Sequence, residues 1–227
     1  MARGQMSKSN YWANRRSKQW SRFGGKLGKV YEKPTTSSIA KAAWSGVKYL
    51  RTLVNSENHK LDTDFDGSVS NTGGITHVTA IGQGDGLNQR TGNSCLLSYL
   101  SLKCYITQHA SATLSAVRCI LFIDLQQISD TSPAIGDLLT TVSIRSHYNA
   151  NNVGRFKVLY DQVYTMDGAK TKSLWIRKNF TLNRHVRFNG SATTDIQKGG
   201  IYWALLSNEA TNTPALLSQV RVGWHDN

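Results

Sequence analysis

Two hydrophobic periods divide this chain. In residues 36–55, Ile39, Ala43, Val47, Leu50 and Val54 recur at spacings of about 3.6, with Trp44 and Leu53 beside them and Lys41, Lys48 and Arg51 on the other side. Ser37 or Ser38 places a capping hydroxyl just ahead of the stripe. The pattern predicts an amphipathic helix and linker over 36–55, with its apolar stripe packed on a folded domain. Its basic face admits two readings, solvation alone or contact with nucleic acid as well.

From His59 onward the pattern is that of strands, short runs separated by clusters of Gly, Asn, Asp and Ser. Eight runs qualify: 61–65, 75–81, 96–106, 117–123, 156–166, 181–188, 201–206 and 216–224. The run 181–188 alternates, with Leu182, Val186 and Phe188 on one face, Thr181, Asn183, His185 and Arg187 on the other, and Arg184 as an exception. The runs 117–123 and 201–206 are almost continuously apolar, as central strands covered on both faces are. A single short helical candidate, 135–140, accompanies them. This predicts an all-β domain over 56–227, a two-sheet sandwich or eight-stranded antiparallel jelly roll.

Residues 1–35 show no apolar period and are rich in Ser, Gly, Asn, Lys and Arg, so they bury too little surface to offset their ordering entropy and read as a disordered arm. Charge sharpens the division. The chain carries +13, and residues 1–60 hold 13 of the 27 Lys and Arg against only Glu32 and Glu57, a net +11 that leaves +2 for the rest. A polycation is joined to a nearly neutral globule. That excess is too large for an ordinary soluble enzyme and implies a polyanionic partner.

Within the arm, Arg3, Lys8, Arg15, Arg16, Lys18, Arg22, Lys26, Lys29 and Lys33 are interleaved with Tyr11, Trp12 and Trp20. Cations neutralise phosphates, and exposed rings stack on unpaired bases at about 1–3 kcal/mol per base. These residues, continued by Lys41, Lys48 and Arg51, are the candidate site for single-stranded nucleic acid. A tail serving solubility alone, or a bare nuclear-import signal, has no use for exposed Trp12 and Trp20.

Other motifs yield to plainer readings. Gly82-Gln83-Gly84-Asp85-Gly86 lacks the helix and Gly-Lys-Ser/Thr of a phosphate loop and reads as a glycine turn. Asp62-Thr63-Asp64-Phe65-Asp66-Gly67 opens like a calcium loop, but Gly73 stands where the bidentate Glu belongs, so a solvated or subunit-facing acidic stripe is expected, with a weak calcium site between subunits as the alternative. The six His are scattered without metal-ligand spacing and read as surface or interface side chains, and no nucleophile motif appears. Cys95, Cys104 and Cys119 sit in apolar or alternating segments and read as buried reduced thiols, which suits an intracellular folding compartment. Asn179-Phe180-Thr181 and Asn189-Gly190-Ser191 are chance glycosylation matches in a chain without signal-peptide or membrane-span patterns. No enzyme, metal, cofactor or membrane partner is expected.

The segment Gly84-Asp85-Gly86-Leu87-Asn88-Gln89-Arg90-Thr91-Gly92-Asn93, leading into Leu100-Ser101-Leu102-Lys103, resembles the Gly-x-Gly-x-x-Gln-Arg-x-Gly segment before a long strand in capsid proteins of small circular single-stranded DNA viruses (circovirus-like) and, more distantly, of satellite necrosis-type RNA viruses. The basic arm, Lys60-Leu61-Asp62 and Phe188-Asn189-Gly190 support it. The arm departs from the DNA-virus pattern, having only the Arg15-Arg16 doublet in place of a dense arginine tract. The resemblance implies a single viral jelly roll, a T=1 icosahedral shell of about 60 copies, arms turned inward onto the genome, and no catalytic residue. It favours DNA over RNA and implies a virion protein assembled in the host nucleus. A cellular single-strand-binding or chaperone protein that forms no shell is the competing reading. The sequence names no host receptor.

Overall fold

The computed structural model describes residues 36–53, 58–127 and 131–226. The chain divides into two units between Asn55 and Ser56. The first contains helix α1 (Thr36–Leu53), as the 3.6-residue period predicts.

The second unit is built of strands: β1 (Asn58–Asp64), β2 (Gly67–Ser68), β3 (Gly74–His77), β4 (Ser94–Thr107), β5 (Leu114–Asp124), β6 (Phe156–Asp167), β7 (Ser173–Phe188), β8 (Ile196–Lys198), β9 (Gly200–Ser207) and β10 (Ala215–Asp226). One antiparallel sheet has the order β1-β10-β4-β7-β8, with β2 on the end of β10; the other has β3-β9-β5-β6. Setting aside the short β2 and β8, eight strands remain, and the chain changes sheet at every connection except β5 to β6. This is a jelly roll.

The core lies between the sheets, where β4, β7 and β10 contribute Leu97, Leu100, Leu102, Ile176, Val186, Val220 and Trp224. Facing them, β5 sends Val117, Cys119, Leu121 and Ile123 inward, and β9 sends Ile201, Trp203 and Leu205. The alternate residues of these two strands are buried on the opposite side. Ile120, Phe122, Tyr202, Ala204 and Leu206 form a second apolar layer with Ile135, Leu138 and Leu139 from the β5–β6 connection, which contains the one-turn helix α2 (Ile135–Leu138). Covering on both faces is why these runs are continuously apolar in sequence.

Three pairings hold that covering connection down. Arg155 donates 2.8 Å to Asp124, whose side chain is fully buried. Arg118 donates to both carboxylate oxygens of Asp161, at 2.9 and 2.6 Å, and its other nitrogen donates to the carbonyls of Ile144 and Ser146. The Tyr148 hydroxyl also donates to Asp161.

Besides the two short strands β2 and β8 and shifts of a few residues at strand ends, the elements depart from expectation at three places. The run 75–81 leaves the ladder after His77, because the Thr79 hydroxyl takes over pairing by accepting from Ile201 N at 3.0 Å. The strand expected at 181–188 begins at Ser173; outward Trp175 and inward Lys178, whose ammonium lies 4.9 Å from the Tyr160 ring, obscure its alternation. The helix expected over 135–140 stops at Leu138, where Leu139 is already extended.

Candidate nucleic-acid interface

Of the residues the sequence singles out, Arg3, Lys8, Tyr11, Trp12, Arg15, Arg16, Lys18, Trp20, Arg22, Lys26, Lys29 and Lys33 lie outside the described residues. Lys41 and Lys48 stand on α1, as does Arg51, whose side chain is outside the described part. Trp44 belongs with them rather than with the apolar stripe. It follows Lys41 by three residues and precedes Lys48 by four, the spacings of one helix face, and the Lys48 ammonium lies 6.0 Å from its ring centroid.

The glycine segment is architecture. Arg90 is fully buried, donating to the carbonyls of Ile81 (3.2 Å), Gly92 (2.6 Å) and Gly190 while its guanidinium lies 3.9 Å from the Phe188 ring centroid. Gln89 folds back to accept from Gly86 N at 2.9 Å. A Cβ on Gly84 would stand 2.2 Å from the Gln89 side-chain oxygen, so glycine there makes room for the glutamine. The Gly-x-Gly-x-x-Gln-Arg pattern is thus a loop closed upon a buried arginine, and no nucleotide loop.

The acidic stripe resolves into partners. Asp62 forms a two-pronged ion pair with Arg221, both bonds 2.6 Å, and these hydrogen bonds hold its carboxyl below the usual range. Asp64 accepts from Gln219 at 3.0 Å, and Asp66 accepts from Ser218 N at 3.1 Å. Among the described residues no group of three His, Cys, Asp or Glu stands ready for a metal ion. His77 corrects the expectation of surface histidines: it stacks on Tyr202 at 4.8 Å, and burial pushes its pKa down to about 4. Burial pushes the Cys95 and Cys104 thiols up to about 12, which keeps them protonated.

One surface escaped the sequence reading. The outward face of the β1-β10-β4-β7 sheet presents successive cross-strand rows: Leu217, Tyr105 and Trp175; then Asp64, Gln219, Lys103 and Arg177; then Asp62, Arg221, Ser101 and Asn179; then Lys60, Gly223, Tyr99 and Thr181. Trp175 is 63% and Leu217 57% exposed. Tyr105 and Trp175 rings lie 5.0 Å apart, and the Arg177 guanidinium is 5.1 Å from the Trp175 centroid. Strand β7 holds Arg177, Lys178, Arg184 and Arg187 and no carboxylate. That composition was the available signal.

Comparison with known proteins decides the class. The family described as "Satellite tobacco necrosis virus coat protein" matches residues 45–223, which takes in nearly the whole strand-built unit and the second half of α1. The chain belongs to this coat protein family. A coat protein of Maize white line mosaic Satellite virus is 31% identical over 163 residues, 68% of this chain and 72% of that protein. Similar solved structures include those of turnip yellow mosaic virus (11% identity, 76% of this chain and 95% of that one, TM-score 0.36) and Desmodium yellow mottle tymovirus (11%, 76% and 90%, TM-score 0.34).

The coat protein is a structural component of the virion and no enzyme, and the reading as a cellular single-strand-binding protein gives way. The order of the two resemblances is also corrected. The satellite necrosis type is the family, and the circular single-stranded DNA viruses are not. The preference for DNA and the nuclear assembly site rested on the latter and fall with it; the missing arginine tract was the residue-level sign.

Proposed function

We propose that this coat protein closes a T=1 icosahedral shell of about 60 copies around single-stranded RNA, with residues 1–35 as a disordered arm turned inward onto the genome. The confinement of +11 to residues 1–60, against +2 elsewhere, carries the reading. The nearly neutral jelly roll lets subunits approach without strong repulsion, while residues 1–60, arm and α1 together, bring on the order of 660 positive charges to such a shell. Assembly and packaging are then coupled, because the genome offsets repulsion between arms. Lys41, Lys48 and Arg51, with Trp44 beside them, extend the arm's chemistry onto α1.

Joint replacement of Arg15, Arg16, Lys18 and Arg22 by Ala tests this. Packaged nucleic acid falls, and the salt dependence of single-strand binding flattens by about 0.7 log units for each phosphate no longer neutralised. A variant that packages as much as the parent with an unchanged slope removes the arm from this role. Extracted nucleic acid is degraded by RNase and spared by DNase; the reverse overturns the RNA assignment.

A further inference from the structure

We propose that the outward face of the β1-β10-β4-β7 sheet is a second single-strand binding surface, on which bases stack against Trp175 and Tyr105 and phosphates meet Lys103 and Arg177. This rests on the coat-protein reading and makes the face the genome-lining wall of the shell. Three observations carry it.

First, the face holds cations that the fold does not neutralise. Lys103 and Arg177 are directly cross-strand, a like-charge pairing that weakens a sheet, and among the described residues no carboxylate lies within ion-pair distance of either. Asp62 pairs with Arg221 and Asp64 lies beyond Gln219 from Lys103, so the rows hold Lys60, Lys103, Arg177 and Arg221 against two carboxylates and keep a cationic excess. An external anion between Lys103 and Arg177 relieves the repulsion.

Second, the aromatic groups are positioned beside those cations. Trp175 and Tyr105 occupy the adjoining row, with the Arg177 guanidinium over the indole, so one nucleotide spans a ring and a charge. Edge protection explains basic side chains on β7, which has a partner on its second side only at Arg187 and Phe188. It does not explain an exposed indole there.

Third, Tyr99 lies across Gly223 on the same face, where a Cβ would come 2.1 Å from the ring. The glycine lets that ring lie against the sheet, adding a third flat aromatic surface three rows further along. The occupant is a strand with planar groups and regular negative charge. A second copy of the chain offers planar rings but no regular negative charge, since its shell unit carries a net +2.

The test uses the full chain. Particles loaded with nucleic acid are irradiated with ultraviolet light, and cross-linked peptides are identified by mass; adducts are expected at Tyr105 and Trp175. In parallel, Trp175→Ala and the double variant Lys103→Gln, Arg177→Gln are titrated as full-chain subunits with labelled polyuridylate. Trp175→Ala weakens binding about tenfold, and the double variant lowers the salt slope by about 1.4. Circular dichroism matching the parent verifies that these exposed substitutions leave the fold intact. No adduct on either strand, with affinity and slope unchanged, overturns the proposal. So do variants that bind polyuridylate normally but no longer form particles, which would make the face a contact between copies. The arm variant with Arg15, Arg16, Lys18 and Arg22 replaced separates the two readings: if it alone loses binding, the arm packages and the sheet does not.

Discussion

The two sheets of the jelly roll share one core but differ on their outer faces. That of β3-β9-β5-β6 carries Ile120, Phe122, Tyr202, Ala204 and Leu206, and the β5–β6 connection lies across it as a second apolar layer. That of β1-β10-β4-β7 carries Lys60, Asp62, Lys103, Tyr105, Trp175, Arg177 and Arg221, and within this unit no described segment covers it. The ion pairs follow the same division. Arg155–Asp124 and Arg118–Asp161 are largely buried and tie a connection to its sheet, whereas Arg221–Asp62 lies open on the surface. One face is therefore given over to stability, and the other is left open by the described residues of its own unit.

The largest expected effect breaks the comparison at its centre. Phe122 is fully buried between Phe156, edge-on at 5.2 Å, and Tyr202, stacked at 5.7 Å. Phe122→Ala costs about 3–5 kcal/mol through lost transfer energy and the cavity left behind, read as a fall in the urea midpoint. Trp175→Ala, a larger deletion on the open face, changes stability by no more than about 0.5 kcal/mol. Equal costs would show that Trp175 is covered too.

A second prediction sharpens the contrast through pH. Burial pushes the Asp161 pKa up, but hydrogen bonds from Arg118 and Tyr148 outweigh it and hold the carboxyl below its ordinary 3.8. Its folded pKa lies below its unfolded one, so its contribution is fully present above the unfolded value and is lost as pH falls through the folded value. Asp161→Asn costs about 2 kcal/mol at neutral pH, and the gap to the parent closes as pH drops below about 3.8. A gap that stays constant down to acid would mean that the charge on Asp161 does not hold the connection.

The smallest effect belongs to the open face. Asp62→Asn breaks a pair whose side chains are 49% and 41% exposed, so side-chain entropy and solvent screening cancel most of the attraction. Its urea midpoint is indistinguishable from that of the parent. Since the substitution unmasks Arg221 and lies in the field of Lys60 and Lys103, polyuridylate binding strengthens slightly at low salt. A clear loss of stability would place this pair among the structural ones.

Much of this was legible in order along the chain. The charge boundary near residue 60, the helical period from Ile39 and the eight strand runs are local properties, and the double apolar character of 117–123 and 201–206 already announced strands covered on both sides. The family, too, was within reach of the glycine segment, although its two resemblances were ranked in the wrong order. Three things depended on tertiary structure. Arg90 reads in sequence as one more cation, and only the meeting of Ile81, Gly92 and Gly190 around it shows a buried keystone. Asp62, Asp64 and Asp66 read as a stripe until β10 brings Arg221, Gln219 and Ser218 alongside. The binding face joins residues of β1, β10, β4 and β7, which are far apart in sequence and meet through strand register. A period of two tells which side chains of one strand share a face, because alternation is local; what lies beside and above that face is set by pairing between distant segments.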